Sequence, residues 1–127
     1  MFRILLIDDT KSVHAYVKFI LSKSPDIVTE SVFDGSEGIK RLKKSKDFDL
    51  ICLDWEMPIL TGPETLKQMS QMGSTIPVLM MTSKNALEDI SLVLSLGAAE
   101  YVMKPFTPAI LFEKIEQITG KAFSHAG

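Results

Sequence analysis

The sequence contains a single cysteine, Cys52, so no disulfide can form within the chain. A protein without disulfides is typical of a reducing compartment. Long apolar runs are also lacking: the stretch Ile4–Ile7 near the amino terminus is far too short for a signal-peptide core or a membrane span. We therefore expect a soluble, cytoplasmic protein that makes no contact with a membrane.

No charge of one sign dominates the chain, because 14 lysines and arginines face 16 aspartates and glutamates, for a net charge of −2. This balance provides no general attraction to nucleic acid or to an anionic membrane, and we expect neither as a partner. The 127 residues, 46% hydrophobic and 24% charged, match one compact globular domain. No stretch resembles an interdomain linker, so we predict one domain over residues 1–120 and a short tail over 121–127.

Four short apolar runs lack the alternation of a half-buried strand. Each therefore predicts a strand that is buried on both faces, as in a parallel sheet. The runs cover residues 4–7, 50–53, 78–81 and 101–103. A fifth candidate, residues 27–33, alternates more and is expected nearer the edge of the sheet.

Helical patterns separate these runs. Apolar residues recur at helical spacing in five segments, which are marked by Val13–Leu21, Ile39–Leu42, Leu66–Met72, Leu87–Leu96 and Leu111–Ile118. Capping signals support two of them: Asp34 precedes the second helix, and Thr107 with Pro108 opens the last. Strands that alternate with helices imply right-handed crossovers, with helices on both faces of a parallel α/β sheet.

Polar residues directly follow four of the apolar runs. Asp8 and Asp9 come after the first run and Asp54 after the run at 50–53, while Thr82 and Lys104 follow the last two. In a parallel sheet the carboxyl ends of the strands share one edge, where ligands bind. An aspartate after a strand is, taken alone, more often a helix cap than a ligand. Three carboxylates, a hydroxyl and an ammonium at one edge together predict a functional site.

The chemistry of these groups is consistent with a single reaction. Three carboxylates packed together repel one another unless a cation neutralises them. Oxygen ligands without histidine or cysteine favour a hard ion, Mg²⁺ or Mn²⁺. A cation beside a carboxylate, with a lysine and a threonine to hold oxygens in transfer, is an arrangement for phosphoryl transfer. Asp54 would then be the nucleophile and form an acyl phosphate.

Four motifs occur in the order and spacing of one known family. They are Ile4-Leu5-Leu6-Ile7-Asp8-Asp9, Asp54-Trp55-Glu56-Met57-Pro58 with Gly62, Met81-Thr82-Ser83 and Lys104-Pro105-Phe106. Through them, residues 2–119 resemble the receiver domain of two-component response regulators, of the stand-alone chemotaxis type. The resemblance implies a single-domain (βα)5 flavodoxin-like fold, with a parallel sheet in the strand order 2-1-3-4-5.

The same resemblance implies a role for each acidic residue. Asp54 would accept the phosphoryl group from a phosphohistidine of a sensor histidine kinase or a histidine phosphotransfer protein. Asp9 and Asp54 would bind Mg²⁺ through their side chains. Asp8 would bind it through a water molecule and Glu56 through its backbone carbonyl. The protein would catalyse only its own phosphoryl uptake and slow dephosphorylation, and is not expected to be an enzyme with a turned-over substrate.

The resemblance also implies the parts of a switch. Lys104 would pair with the acyl phosphate, held in position by a cis peptide bond to Pro105, and Thr82 would move to donate to the phosphoryl group. Tyr101 would turn inward as Thr82 moves. A downstream protein would then bind the face formed by residues 84–118. The protein would be a monomer or a weak dimer that depends on phosphorylation.

Three further residues lie near the predicted site. Glu56 is two positions beyond the nucleophile, and Lys84 is two beyond the threonine. We predict that their opposite charges pair across the mouth of the site and hinder attacking water. The alternative is two solvated side chains, since exposed ion pairs contribute little. His14, on the first helix, is predicted to have a surface role and not a catalytic one.

Three other functions fit parts of the pattern. A phosphatase with an aspartyl-phosphate intermediate typically has a second aspartate two residues after its nucleophile, where this chain has Glu56. A flavodoxin-type electron carrier needs a Ser/Thr/Gly-rich loop after the first strand, where Asp8-Asp9-Thr10-Lys11 would repel a phosphate. A receiver that only binds partners, without phosphorylation, is disfavoured because the acidic residues, the threonine and the lysine are all present.

Overall fold

The computed structural model describes residues 1–124, in which strands and helices alternate along the chain. The strands are β1 (Phe2–Ile7), β2 (Ile27–Val32), β3 (Leu50–Asp54), β4 (Val78–Thr82) and β5 (Glu100–Met103). The helices are α1 (Lys11–Leu21), α2 (Gly35–Lys44), α3 (Gly62–Gln71), α4 (Leu87–Ser95) and α5 (Pro108–Thr119). Each element lies where the sequence predicted it, with small differences at its ends.

The strands form one parallel sheet in the order β2-β1-β3-β4-β5. This order confirms the predicted α/β class and the flavodoxin-like arrangement that the resemblance implied. The register places Ile7 beside Leu53 and Thr82 beside Met103, so the carboxyl ends of the central strands are nearly level. Residues that follow those strands therefore meet at one edge of the sheet.

The sheet separates two hydrophobic layers. Alternate residues of β1 enter opposite layers: Ile4 and Leu6 pack with α1 and α5, whereas Leu5 and Ile7 pack with α2, α3 and α4. All of these side chains are fully buried. This burial explains why the central runs do not alternate, because both faces of such a strand must be apolar. The edge strand β2 is only partly buried, as its mixed sequence predicted.

Polar side chains fix the starts of several helices. The Asp34 side chain accepts from the Glu37 amide at the start of α2, and the Thr107 side chain accepts from the Ile110 amide at the start of α5. Both caps were predicted, and both satisfy amides that have no partner within the helix. Within residues 1–124, no helix is long and apolar enough to cross a membrane.

The predicted tail over 121–127 begins after Gly120, which ends α5 in the left-handed conformation at φ 71°. Part of this tail packs on the domain: the Phe123 ring lies edge-on against Phe2, with 4.8 Å between the ring centroids. The contact covers the start of β1, at the opposite end of the sheet from the predicted site. Residues 125–127 of the predicted tail lie outside the described residues.

Candidate functional site

Three strands bring charged side chains together at the carboxyl edge of the sheet. Asp8 follows β1, Asp54 is the last residue of β3, and Lys104 follows β5. The Lys104 ammonium donates to both carboxylates, with Nζ 2.8 Å from Asp54 Oδ1 and 3.1 Å from Asp8 Oδ2. The sheet register thus joins side chains that lie as many as 96 positions apart in the sequence.

Backbone amides orient the two buried carboxylates. Asp8 is completely buried, and its Oδ1 accepts from the Thr10 amide at 2.9 Å. Asp54 is 6% exposed, and its Oδ1 accepts from the Trp55 amide at 2.9 Å. Asp9, by contrast, is exposed at the rim. Two carboxylates are therefore held in fixed directions, and a third reaches toward them from the surface.

The three acidic residues are close enough to share a cation. Asp8, Asp9 and Asp54 each offer a carboxylate oxygen, and these oxygens lie within 4.8 Å of one another. A set of carboxylate oxygens suits a hard divalent ion such as Mg²⁺ or Mn²⁺. Since buried carboxylates repel one another, a bound cation would also relieve their repulsion. The acidic residues predicted from the sequence therefore fit Mg²⁺.

Burial shifts the pKa values of the charged groups in the site. Burial raises the pKa of Asp54 from the ordinary 3.8 to about 6. The hydrogen bond from Lys104 opposes this increase, and the negative charge of Asp8 adds to it. Burial alone would lower the pKa of Lys104, but the hydrogen bonds and charges of Asp54 and Asp8 outweigh it and raise that pKa. The ammonium therefore persists, yet it does not fully compensate the carboxylates around it.

Without Mg²⁺, Asp54→Asn should stabilise the protein increasingly as the pH rises. The pKa of Asp54 is raised in the folded state to about 6 from 3.8, so its proton favours folding. That contribution is complete below the unfolded pKa and is lost as the pH rises through the folded pKa. We expect Asp54→Asn to melt about 5 °C above wild type at neutral pH, with a smaller difference near pH 4.

Calorimetric melting in the presence of a chelator, at several pH values, measures this difference directly. Asp47→Asn is the control, because the Asp47 side chain is 77% exposed and lies before β3, away from the site. Its melting temperature should follow that of the wild type at every pH. A constant offset between Asp54→Asn and wild type would contradict the assignment of the pH effect to Asp54.

The site opens as a polar cleft of about 300 Å³. The residues that line it are Asp9, Thr10, Asp54, Trp55, Glu56, Thr82, Ser83 and Lys104. Beside the cleft, the Lys84 ammonium lies 3.4 Å from a carboxylate oxygen of Glu56 and 5.6 Å from the centre of the Trp55 ring. The predicted Glu56–Lys84 contact is therefore present at the surface of the site.

Thr82 ties the ends of β4 and β5 together. Its side chain is buried, and Oγ1 accepts from the Lys84 amide at 2.9 Å. Its backbone carbonyl accepts from the Lys104 amide at 2.8 Å. The peptide bond between Lys104 and Pro105 is cis. These contacts place the threonine hydroxyl and the lysine ammonium in the same cleft as Asp54.

Tyr101, the switch residue implied by the resemblance, lies outside the polar cleft. It is half-buried on β5 and lines a groove beside α5, where the Lys114 ammonium is 5.3 Å from the centre of its ring. In the sheet register, Tyr101 lies beside Met80, two positions before Thr82. The two residues implied as switch elements therefore belong to neighbouring strands.

The predicted surface role of His14 is wrong. His14 is 4% exposed, and its ring nitrogens contact the Asp8 carbonyl oxygen and the Ser31 hydroxyl. Helical spacing could have revealed this burial, because His14, Val17 and Leu21 recur on one face of α1 and all are buried. A histidine on the core face of a helix, next to two aspartates, was the available signal.

Comparison with known proteins identifies relatives of this chain. A family model described as the response regulator receiver domain matches residues 4–116. The alkaline phosphatase synthesis transcriptional regulatory protein PhoP of Bacillus subtilis is 38% identical over 117 residues, which cover 91% of this chain and 48% of PhoP. The chain thus spans about half the length of that relative.

Two chemotaxis proteins of Vibrio cholerae match over nearly their full length. Chemotaxis protein CheY-3 is 35% identical over 118 residues, which cover 91% of this chain and 90% of CheY-3. A solved structure of chemotaxis protein CheY4 is similar with a TM-score of 0.85 at 28% identity, and the match covers 93% of this chain and 98% of CheY4. The sequence comparison and the structural comparison therefore both find chemotaxis proteins of the CheY type similar to this chain.

Proposed function

The chain belongs to the response regulator receiver domain family, and on that premise we propose that it is a phosphoryl-accepting switch whose phosphorylated residue is Asp54. The observation that supports this best is the contact of 2.8 Å between Asp54 Oδ1 and the Lys104 ammonium, next to the acidic pair Asp8 and Asp9. A carboxylate nucleophile, a cation site and a fixed ammonium are the groups that phosphoryl transfer requires. This combination favours a receiver over an electron carrier.

The transfer moves a phosphoryl group from nitrogen to oxygen. We assign the attack to Asp54 Oδ2, because Oδ1 already accepts from Lys104 and Trp55. The P–N bond of a phosphohistidine breaks, an acyl phosphate forms, and the departing imidazole takes up a proton from solvent. The carboxylates of Asp9 and Asp54 would hold Mg²⁺, together with Asp8 through a water molecule and the Glu56 carbonyl. The bound ion would supply positive charge that compensates the phosphoryl oxygens.

Phosphorylation would shift the equilibrium between an inactive and an active state of the protein, and no substrate would be turned over. The Thr82 hydroxyl, which accepts from the Lys84 amide at 2.9 Å, would rotate to donate to the phosphoryl group. Tyr101 would then move inward, and the equilibrium would favour the active state. The chain would catalyse only the uptake and the slow loss of its own phosphoryl group.

The signal would enter and leave by protein contact in the cytoplasm. A sensor histidine kinase or a histidine phosphotransfer protein would supply the phosphoryl group, and a downstream protein would bind the face formed by residues 84–118. That face exposes apolar side chains, among them Leu87 at 76% and Leu92 at 43%. The receiver domain would extend over residues 1–120 with 121–127 as its tail, as a monomer or a weak phosphorylation-dependent dimer.

Capture of partners tests the proposed switch. Immobilised wild type, Asp54→Ala and the surface control Asp47→Ala would be exposed to cell extract with acetyl phosphate and Mg²⁺. A protein that binds to wild type and Asp47→Ala, but is lost with Asp54→Ala, would support output controlled by phosphorylation. Identical sets of partners on all three would count against it.

Breaking the Glu56–Lys84 pair should shorten the lifetime of the phosphorylated form. The two charged groups are 3.4 Å apart beside the cleft. There we expect them to restrict the approach of water to the phosphorus of the phosphorylated form. We expect Glu56→Ala and Lys84→Ala each to speed dephosphorylation by about threefold, which is within the range of an exposed ion pair. The decay of the phosphorylated form after removal of the phosphodonor measures the rate.

The double variant Glu56→Ala/Lys84→Ala separates pairing from independent effects. Since either single change already breaks the contact, the double variant should decay at nearly the same rate as each single variant. Effects that multiply would show that the residues act separately. A rate equal to wild type in all three variants would remove the pair from the mechanism.

A further inference from the structure

His14 connects the acidic pair to the edge strand of the sheet. Its Nε2 lies 2.7 Å from the Asp8 carbonyl oxygen, and its Nδ1 lies 2.8 Å from the Ser31 hydroxyl on β2. The Phe33 ring packs against the imidazole with 4.3 Å between the ring centroids. The buried imidazole therefore contacts the end of β1 and the edge strand β2 from its place in the first turn of α1.

The directions of these hydrogen bonds follow from the groups involved. A carbonyl oxygen can only accept, so Nε2–H of His14 is the donor to Asp8. The Asp8 carbonyl thus selects the tautomer with hydrogen on Nε2, and in the neutral imidazole Nδ1 accepts from the Ser31 hydroxyl. The ring nitrogens and the carbonyl are all satisfied at a buried position, where an unpaired polar group would destabilise the fold.

The other contacts of Asp8 at the corner between β1 and α1 involve its side chain and its amide, whereas His14 contacts its carbonyl: Asp8 Oδ1 accepts from the Thr10 amide and Oδ2 from Lys104. Thr10, the N-cap of α1, makes no capping hydrogen bond through its side chain, and the first turn contains no acidic residue. The Asp8 amide donates to the Val32 carbonyl at 3.3 Å, a long bond. The bond from His14 to the Asp8 carbonyl is shorter, at 2.7 Å. It fixes the plane of the peptide that joins Asp8 to Asp9.

We propose that His14 is a positioning residue that sets the Mg²⁺ affinity of the acidic pair by fixing the backbone of Asp8. The inference rests on the proposed function in taking Mg²⁺ as the cation. Rotation of the peptide plane after Asp8 would redirect the side chain of Asp9 and alter the contact of 3.1 Å between Asp8 and Lys104. Residues that orient the ligands of a metal site commonly affect affinity in this way.

The test compares the Mg²⁺ affinity of variants of the full chain, read from the fluorescence of Trp55 and from calorimetry. His14→Phe keeps an aromatic ring against Phe33 but removes both hydrogen bonds, and we expect its Mg²⁺ dissociation constant to rise about tenfold. His14→Gln, which retains an N–H donor, should recover part of this loss. Ser22→Ala, at the other end of α1, is the control and should bind Mg²⁺ as wild type does.

Two further measurements separate positioning from packing. Ser31→Ala removes the hydroxyl that holds the imidazole of His14 through Nδ1. We expect it to weaken Mg²⁺ binding by about threefold, since the less restrained ring then keeps its bond to Asp8 only part of the time. The Thr10 amide, bonded to Asp8 Oδ1 at 2.9 Å, should exchange its hydrogen faster in His14→Phe without Mg²⁺. If His14→Phe fails to fold, Ser31→Ala decides the question.

The outcomes distinguish this inference from the proposed function. Weaker Mg²⁺ binding and faster Thr10 exchange in folded His14→Phe, with partial recovery in His14→Gln, would support the positioning role. Wild-type affinity in folded His14→Phe, or in Ser31→Ala if the former does not fold, would overturn it and leave the switch intact. A wild-type protein that neither binds Mg²⁺ nor takes up a phosphoryl group would overturn the proposed function itself.

Discussion

Asp54→Asn will take up no phosphoryl group from acetyl phosphate and Mg²⁺, whereas the wild-type protein will take up a single group per molecule. An amide oxygen carries no charge and is a far weaker nucleophile than a carboxylate, so the acyl phosphate cannot form. The side chain keeps its size, and its oxygen can still accept from the Trp55 amide and from Lys104. The fold should therefore persist, and intact-mass spectrometry would measure the uptake.

Asp47→Asn is the matched control for this experiment. Asp47 precedes β3, whereas Asp54 ends it, and the Asp47 side chain is 77% exposed beside Arg3. This variant should take up the phosphoryl group as fully as wild type. Wild-type uptake by Asp54→Asn would place the acceptor elsewhere and contradict the proposed function. Equal loss in both variants would indicate a nonspecific effect of the substitutions.

The sheet could be predicted because its central strands leave a characteristic pattern. A strand covered by helices on both sides has no polar face, so residues 50–53 and 78–81 are uninterrupted apolar runs, and all of them are buried. The residue after such a run must lie at the edge where the parallel strands end. Asp54 and Lys104 could therefore be assigned to one site, although they are 50 positions apart.

Strand order could not be derived from these apolar runs, and the burial of His14 was indicated only by its helical spacing from Val17 and Leu21. Apolar runs identify strands but not their neighbours, so the order 2-1-3-4-5 depended on the resemblance to a family. The burial of His14 depends on Ser31 and Phe33, which β2 places beside α1. Because histidine is polar, an exposed position was predicted for His14. Hydrogen bonds that satisfy both of its ring nitrogens make the buried position stable instead.

The loop after β3 also departs from local preference. Ile59 has a φ of 72°, a conformation that β-branched residues rarely adopt, and it is 74% exposed. The Leu60 amide donates to the Pro58 carbonyl at 2.8 Å and closes a three-residue turn around it. The Gly62 amide donates to the Trp55 carbonyl at 2.7 Å and fixes the end of the loop. These backbone contacts, and not the preference of Ile59, determine the path of the chain.

Lys104→Met should bind Mg²⁺ about tenfold more tightly than the wild-type protein. The ammonium lies 2.8 Å from Asp54 Oδ1 and 3.1 Å from Asp8 Oδ2, so it occupies carboxylate oxygens and repels a second cation. Repulsion between unit charges about 4 Å apart is roughly 1–4 kcal/mol between bulk water and a protein surface, enough for a tenfold change. A Mg²⁺ titration followed by Trp55 fluorescence would measure the affinity.

The same substitution should destabilise the Mg²⁺-free protein. Asp8 and Asp54 are buried, and Lys104 is the ammonium that contacts both of them. Without it, the negative charges of two buried carboxylates face each other with no cation to compensate them, and uncompensated buried charge is strongly destabilising. The melting temperature should fall in the presence of a chelator and recover when Mg²⁺ replaces the missing charge.

Lys84→Met tests whether position or net charge causes these effects. Lys84 stands beside the same cleft, but its partner Glu56 is 76% exposed, so solvent and salt screen that pair. Its substitution should change the Mg²⁺ affinity by less than about twofold. A tenfold gain in both lysine variants would assign the effect to net charge. Unchanged or weaker binding in Lys104→Met would mean that Lys104 supports the cation site more than it competes with the cation.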